Sequence, residues 1–271
     1  MPELPEVETI VTDLKPILPG MFFVDMKSSH NNAVKDALGN VGLITGKKVV
    51  AVERRGKFIN IFFENNFVMT IHLRMSGRIL FRDLKDEELL YERTRINFDK
   101  GSLRFCDMRK FGRVWICSQD EYELTTGIYR LGIEPFSKEM TLDNFLELFT
   151  KRKGNVKRWL LDQSVIAGIG NIYADEALFY AGIRPTGNLQ DIDKKMLEKL
   201  FKCVLKALKQ GVKNRGTSIS DFKDAYGSTG RNQEKLYVYG RGGKDCFNCS
   251  AVLVKTKVAG RGTVYCEECQ I

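Results

Sequence analysis

Four cysteines near the C-terminus constrain the fold of this chain more than any other feature of its sequence. They form two pairs, Cys246-x2-Cys249 and Cys266-x2-Cys269, with 16 residues between the pairs. Two pairs at this spacing can surround one tetrahedral Zn2+ with four thiolates and leave no open coordination position, so a single structural zinc ion is predicted. Two disulfides are the alternative, but the acidic N-terminus carries no apolar export signal, and disulfides are rare without export.

The segment that contains these cysteines is too short to bury a large core, so the metal would supply much of its folding energy. Between the two pairs, the run VLVKTKVAGRGTVYC predicts a β-hairpin with Arg261 at its turn, between Gly260 and Gly262. A hairpin of this kind can enter a nucleic-acid groove, where the arginine would contact a phosphate. An ordinary solvated turn arginine is the alternative.

Length and charge point to a basic protein of more than one domain. The 271 residues exceed a typical single domain, and the net charge is +9, nearly all of it contributed after residue 141. The second half is therefore the expected anchor for a polyanion. No apolar run approaches the roughly 20 residues of a membrane span, so no membrane contact is expected. A cytoplasmic location and a monomeric state are also expected.

Hydrophobic periodicity divides the chain into a strand-rich and a helical part. Residues 5–14 predict a short helix, and Thr141 is a candidate cap for a later one. Strands are predicted at 48–53, 57–63, 67–73, 78–81, 93–98, 102–107 and 114–117, and helices at 142–149, 155–161, 172–181 and 194–210. Short strands punctuated by turn residues indicate an antiparallel sandwich or a barrel.

A glycine-rich turn at 166–176 joins two of the predicted helices. Asn171 is the expected N-cap of the second helix, whose free N–H groups would favour a phosphate. A basic cluster at 151–158, which includes Lys157, precedes the turn. An ordinary tight turn is the alternative.

Eight motifs, taken in order, resemble the bacterial formamidopyrimidine-DNA glycosylases. They are PELPEVE at 2–8, RRGK at 54–57, HLRMSG at 72–77, DMRKFG at 107–112, LGIEP at 131–135, GIGNIYADE at 168–176, VYG at 238–240 and GRG at 260–262. The resemblance implies an α+β multidomain protein: an N-terminal antiparallel β-sandwich with flanking helices (1–130), a linker (131–141), a helix-two-turn-helix domain (142–235) and a zinc-finger β-hairpin (236–271). It also implies excision of oxidised purines from duplex DNA, followed by strand cleavage at the abasic site.

The same resemblance assigns catalytic roles to four residues. Pro2 would be the nucleophile once Met1 is removed, because its secondary amine can form a Schiff base with the sugar C1′. An α-amine has a reference pKa of roughly 7.7–8.0, so a neutral fraction exists near pH 7. Glu3 resembles the family's general acid/base, Lys57 its proton donor and phosphate contact, and Arg261 its finger-tip arginine at the lesion phosphates.

Further residues resemble the positions at which the family contacts DNA. They are His72, Met75, Tyr91, Arg109, Phe111, Lys157 and Asn171, of which Met75, Arg109 and Phe111 would fill the gap that a flipped base leaves. The segment 216–230 resembles a mobile lid over the flipped purine. Tyr91 stands where the family usually has a histidine, and Ser220 where an arginine is common, so one phosphate contact and the lesion preference are open.

Two alternatives stay open, and only the second belongs to another functional class. One is a glycosylase for oxidised pyrimidines resembling endonuclease VIII, which Leu4, the wedge residues and the long lid disfavour. The other is a non-catalytic zinc-finger protein that binds damaged DNA, which the presence of Pro2, Glu3 and Lys57 disfavours.

Overall fold

The computed structural model describes residues 1–30, Val34, Ala37 and 39–271. The chain divides into two compact units. The first consists of Met1–Arg130 and Val212–Gln233, and the second of Leu131–Gly211 and Glu234–Ile271.

The first unit is built on eight antiparallel strands. They are β1 (Phe23–Ser28), β2 (Val49–Arg55), β3 (Phe58–Phe63), β4 (Phe67–His72), β5 (Gly77–Arg82), β6 (Glu92–Phe98), β7 (Gly101–Asp107) and β8 (Arg113–Ser118). One sheet has the order β1-β6-β7-β5 and the other β2-β3-β4-β8. Among the described residues of this unit, the α-helices are α1 (Leu4–Leu14), α2 (Val41–Ile44) and α3 (Tyr122–Thr126).

One hydrophobic core joins the two sheets and α1, which makes the unit a sandwich rather than a closed barrel. The apolar stripe of α1, formed by Val7, Ile10, Val11 and Leu14, is fully buried in this core. Phe23 of one sheet packs edge-to-face on Phe63 of the other, with ring centroids 6.1 Å apart. The strand alternation seen in the sequence therefore turns one face of each sheet inward.

The second unit contains four helices and a β-hairpin. They are α4 (Leu142–Thr150), α5 (Val156–Leu161), α6 (Asn171–Ala181), α7 (Lys194–Lys213), β9 (Val254–Val258) and β10 (Arg261–Tyr265). The predicted cap is confirmed, because the Thr141 hydroxyl accepts the N–H of Asn144 at 3.2 Å. Helix α6 is buried along most of its length and packs against β10.

Two local expectations were wrong. The N-cap of α6 is Gly170 rather than Asn171, because Asn171 already has helical backbone and its side-chain amide is used elsewhere. The hairpin turn consists of Ala259 and Gly260, both with positive φ, so Arg261 is the first residue of β10 and pairs with Val258. Among the described residues, no helix is long and apolar enough to cross a membrane.

Candidate functional site

The N-terminus of α1 presents Pro2 next to two buried carboxylates. Glu3 is the N-cap residue, and its backbone N–H donates to Oε2 of Glu6 at 2.8 Å. The other carboxylate oxygen of Glu6 accepts the N–H of Thr217 at 2.7 Å. Pro2, Glu3 and Glu6 are all buried. Pro2 is therefore held in place by packing and does not lie in a loose terminal segment.

Lys57 lies in the tight turn between β2 and β3 and is buried. Gly56, with φ +56°, forms this turn, and its carbonyl accepts a hydrogen bond from Arg54 at 3.0 Å. The same arginine pairs with Glu8 of α1 at 2.6 Å. A Glu8–Arg54–Gly56 chain of contacts therefore connects the helix that follows Pro2 to the turn that carries Lys57.

His72 is a neutral imidazole at the end of β4. Burial, followed by the charges of Arg74 and Lys57, lowers the pKa of His72 to about 3. Its Nδ1 accepts the backbone N–H of Arg74 at 3.0 Å, which leaves the proton of the neutral ring on Nε2. His72 can therefore donate a hydrogen bond without adding charge.

Met75 and Phe111 are exposed, with 40% and 48% of their surface accessible, so neither belongs to the core. They lie on two loops, and the Arg109 guanidinium lies 5.2 Å from the centroid of the Phe111 ring. Three residues expected to act as a wedge thus lie on loops that Asp107 connects.

Asp107 is buried between these loops, and the sequence offered no reason to single it out beyond its place in a motif. Its Oδ1 accepts the Ser76 hydroxyl at 2.6 Å and the Arg109 N–H at 3.2 Å, and its Oδ2 accepts the Gly112 N–H at 2.8 Å. One carboxylate therefore holds the loop of Met75 and the loop of Phe111 together.

Tyr91 is connected to Asp107 by a backbone hydrogen bond. It has φ +63°, it is partly exposed, and its carbonyl accepts the N–H of Asp107 at 2.9 Å. The Arg93 guanidinium lies 5.7 Å from the centroid of its ring. The phenol is therefore placed at the surface near the exposed loops.

In the second unit, Lys157 is fully buried, contrary to its expected direct contact with DNA. Its ammonium pairs with Asp175 at 2.6 Å and donates to the Thr263 hydroxyl at 2.6 Å. Burial raises the pKa of Asp175 to about 7, although the Lys157 charge acts in the opposite direction. The side-chain amide of Asn171 donates to the Gly262 carbonyl at 2.8 Å. Lys157 and Asn171 therefore both hold the hairpin strand that begins with the exposed Arg261.

Two further anchors hold the cysteine module, and neither is predicted by the sequence patterns. The buried Glu176 accepts the N–H groups of Tyr237, Val238 and Tyr239, each at 2.9 Å. The Arg184 guanidinium donates to the carbonyls of Gln270 and Glu267 at 2.8 and 2.9 Å. Glu176 of α6 therefore holds the backbone before the hairpin, and Arg184, which follows α6, holds the backbone after it.

The four cysteine sulfurs lie within 4.8 Å of one another, as metal ligands would. Cys246 and Cys266 are buried, and all four thiols are free of disulfides. The Asn248 N–H also donates to Cys246 Sγ at 3.4 Å, as is expected of a thiolate-bearing turn. The donor set therefore fits a metal ion that takes four sulfur ligands, and the disulfide alternative is not adopted.

The segment expected to be a mobile lid is anchored over much of its length in the first unit. Arg215 pairs with Asp13 of α1 at 2.8 Å and with Asp224 at 2.6 Å. Phe222 and Ala225 are part of the sandwich core. The exposed residues of the segment are 219–221, which include Ser220, together with 226, 228 and 229.

These observations define a protein with an N-terminal antiparallel β-sandwich, a helical unit and a C-terminal four-cysteine hairpin. The profile of the formamidopyrimidine-DNA glycosylase N-terminal domain matches residues 1–114, and that of the helix-two-turn-helix domain of the same glycosylases matches residues 131–223. The chain therefore belongs to the formamidopyrimidine-DNA glycosylase family.

Individual relatives agree with this assignment. The formamidopyrimidine-DNA glycosylase of Pelotomaculum thermopropionicum is 37% identical over 273 residues, which cover 100% of this chain and 99% of the relative. That of Desulfitobacterium hafniense is 36% identical, with 100% of both chains covered. A structure of the Lactococcus lactis protein in complex with abasic-site DNA is 32% identical and has a TM-score of 0.92 over 99% of each chain.

Proposed function

We propose that this chain is a bifunctional DNA glycosylase and AP lyase of base-excision repair that removes oxidised purines, 8-oxoguanine and formamidopyrimidines, from duplex DNA. The observation that carries the proposal is the burial of Pro2 directly before α1, beside Glu3. Membership of the glycosylase family supports the reaction class, and solved complexes of the Lactococcus lactis relative contain DNA with a formamidopyrimidine lesion.

Excision begins when the Pro2 nitrogen, freed by removal of Met1, attacks C1′ of the damaged nucleotide. Its lone pair forms the N–C1′ bond as the glycosidic bond breaks, and the base leaves with a proton. Opening of the sugar ring then breaks the C1′–O4′ bond, protonates O4′ and leaves an iminium between Pro2 and C1′. Glu3 and Lys57 supply the proton transfers. Both side chains are buried; Glu3 is the N-cap of α1, and the turn that carries Lys57 is connected to α1 through Arg54.

Strand cleavage follows from the same iminium. Its positive charge acidifies the C2′ proton, so a base removes that proton and the 3′ phosphate leaves in β-elimination. A second elimination expels the 5′ phosphate, and Arg261 stabilises the departing phosphate charge. Hydrolysis of the iminium then regenerates the Pro2 amine.

Met75, Arg109 and Phe111 fill the space that the flipped nucleotide leaves. Their exposure supports this role, since apolar side chains on surface loops can enter a base step and partly unstack it. The Asp107 contacts make the two loops a prearranged unit. His72 donates to a phosphate as a neutral group, and Tyr91 contacts a phosphate where the family resemblance implies a histidine.

In the second unit we propose that Arg261 contacts the phosphates directly, while Lys157 acts by positioning the hairpin. Asn171 holds the same strand and lies at the start of α6, whose N-terminus favours a phosphate. One structural Zn2+ bound by Cys246, Cys249, Cys266 and Cys269 would stabilise the module. The metal would supply folding energy only, since four thiolates leave no position for substrate.

The proposed organisation keeps a sandwich domain (1–130), a linker (131–141), a helix-two-turn-helix domain (142–235) and a zinc finger (236–271). The proposed lid is the segment 216–230, in which 219–221 form one exposed tip while Phe222 and Ala225 are anchored in the sandwich core. A protein that repairs a bacterial chromosome works in the compartment that holds it, so we propose a cytoplasmic, DNA-associated monomer.

An oxidised-pyrimidine specificity is the second candidate. One structure of the Lactococcus lactis relative contains DNA with an oxidised pyrimidine, and Ser220 at the exposed lid tip lacks the charge of an arginine. Duplexes that carry 8-oxoguanine or thymine glycol, compared under single-turnover conditions, decide between the two. Faster excision of 8-oxoguanine supports the proposal, and faster excision of thymine glycol favours the alternative. If neither base is excised, the result favours the hypothesis of a non-catalytic protein that binds damaged DNA.

A further inference from the structure

Arg74 and Arg113 lie close together at the end of the second sheet. His72 and Arg113 are directly paired across β4 and β8. Arg74 lies two residues after His72, and its backbone has φ +55°. The N–H of Arg74 donates to Nδ1 of His72 at 3.0 Å. This hydrogen bond fixes the backbone of Arg74 beside the strand end at which Arg113 begins.

No carboxylate neutralises this pair within the part of the chain that the structure describes. Arg113 donates to the Gly112 carbonyl at 3.2 Å, and neither guanidinium forms an ion pair with a described residue. Burial and the charge of Arg113 both lower the pKa of Arg74. His72 between them is neutral and offers no negative charge.

Several other arginines of the same unit are neutralised by carboxylates, whereas Arg82 and Arg93 donate to backbone carbonyls. Each of four is paired with a carboxylate between 2.6 and 3.3 Å: Arg54, Arg95, Arg104 and Arg215. Arg74 is exposed and Arg113 is half-buried, so the cost of the pair is the repulsion between neighbouring like charges that lack a counter-ion. An anion bound between Arg74 and Arg113 would remove that cost.

The surroundings of the pair indicate which anion this is. Arg74 directly precedes Met75, and Arg113 follows Phe111 by two residues, so both cations lie at the base of the exposed loops that we propose enter the duplex. A phosphodiester flanking an opened base step would lie next to such a wedge. A guanidinium matches the planar edge of two phosphate oxygens, which makes arginine suited to this contact.

We propose that Arg74 and Arg113 together bind one backbone phosphate next to the base step that the wedge opens. The inference rests on the proposed function, because it takes duplex DNA as the ligand. The two side chains act on the substrate only by binding it and make no proton transfer.

The test measures how binding of a duplex with a stable abasic analogue depends on salt, for Arg74→Gln, Arg113→Gln and the double variant. Loss of one phosphate contact should lower the slope of log K against log salt by about 0.9 and weaken binding about tenfold near 0.1 M salt. Because the two residues share one phosphate, the double variant should lose about 0.9 in slope in total rather than about 1.8, and each single variant should lose no more than the double variant.

Lys100→Gln is the matched control. It removes the same charge from an exposed residue at the opposite end of β7 from Asp107. Seven residues at a rise of about 3.4 Å put it more than 20 Å away. Its slope should equal that of the wild type, so a general loss of positive charge is separated from a local contact.

A second arm replaces single phosphates near the lesion with uncharged methylphosphonates. Wild-type protein should lose affinity at one position, and the double variant should be indifferent to the replacement there. The melting temperature of the free variants should equal or exceed that of the wild type, since a repulsion has been removed.

An unchanged slope in a double variant that still binds DNA would contradict the shared phosphate, and so would a slope loss near two in that variant. A lowered melting temperature with an unchanged slope would show a structural role and would also contradict it. Wild-type protein that binds no lesion duplex would instead overturn the proposed function.

Discussion

The ammonium of Lys157 lies 2.6 Å from the Asp175 carboxylate, and both side chains are fully buried. An ion pair removed from water stabilises a fold only when further contacts satisfy both groups. Here the Thr263 hydroxyl accepts from the lysine, and the Val264 N–H approaches the carboxylate at 3.4 Å. The pair therefore fixes β10, and with it Arg261, against α5 and α6.

Lys157→Met should leave a buried carboxylate without its cation. We expect a loss of about 3–5 kcal/mol in the free energy of unfolding. Burial already raises the pKa of Asp175 to about 7, and loss of the lysine raises it further. The folded variant then holds a proton that the unfolded chain releases above its usual acidic pKa, so its stability falls as pH rises from about 4 through 7 and beyond.

Denaturant unfolding at pH 5 and pH 8 measures this difference, which should be larger at pH 8. Lys151→Met is the control, because Lys151 pairs with Glu147 on the surface and such pairs contribute little. Equal effects of the two substitutions would contradict the account of Lys157.

His72 should not titrate near neutral pH. Because its pKa is about 3 in the folded protein and about 6.5 when unfolded, the unfolded chain binds the extra proton between these values. Its contribution to stability is therefore fully present above about pH 6.5 and is lost as pH falls toward 3. The chain has only two histidines, so NMR of a His30→Gln variant isolates the His72 ring. A titration midpoint near 6.5 would show that the imidazole is not buried as described.

Asp107→Asn should loosen both exposed loops at once. The amide cannot accept the Ser76 hydroxyl and two N–H groups equally well, so we expect a loss of about 1–3 kcal/mol in stability. The rate of base excision should fall more than the affinity for an abasic-analogue duplex, because wedge insertion accompanies base flipping. Asp120→Asn, at an exposed turn, is the control. An excision rate equal to that of the wild type would remove Asp107 from its positioning role.

Cys246→Ser should release the proposed metal ion. Elemental analysis of the wild-type protein should give one zinc per chain, and the variant should lose it together with most DNA affinity. Cys203→Ser changes a buried thiol in α7 outside the cluster and should keep both. Full zinc content and normal binding in the Cys246 variant would contradict the four-ligand site.

Local sequence patterns predicted the helices and strands well where residues close in the sequence determine the structure. The stripe of α1 and the cap at Thr141 are local, and both were confirmed. Strand β1 was missed because its sequence FVDMKS follows no strict alternation and its pairing with β6 spans about 70 residues. Such a strand is defined by its partner rather than by its own residues.

The site was predictable in its residue types and less so in its contacts. Lys157 belongs to a basic cluster, which favoured an exposed DNA contact, but its partner Asp175 lies 18 positions away on another helix. Arg184 and Glu176 likewise bind backbone groups far along the chain. Periodicity and spacing do not show which buried charge meets which distant group.

The central claim is that the Pro2 nitrogen is the nucleophile. Borohydride reduction of the protein with an abasic or 8-oxoguanine duplex, followed by mass spectrometry of the cross-linked peptide, tests it most directly. We predict one cross-link, on the N-terminal peptide at Pro2. It should be absent when an added N-terminal residue keeps that nitrogen an amide, and greatly reduced in Pro2→Gly, which should still bind DNA. A cross-link on Lys57, or undiminished trapping by the extended protein, would contradict the claim.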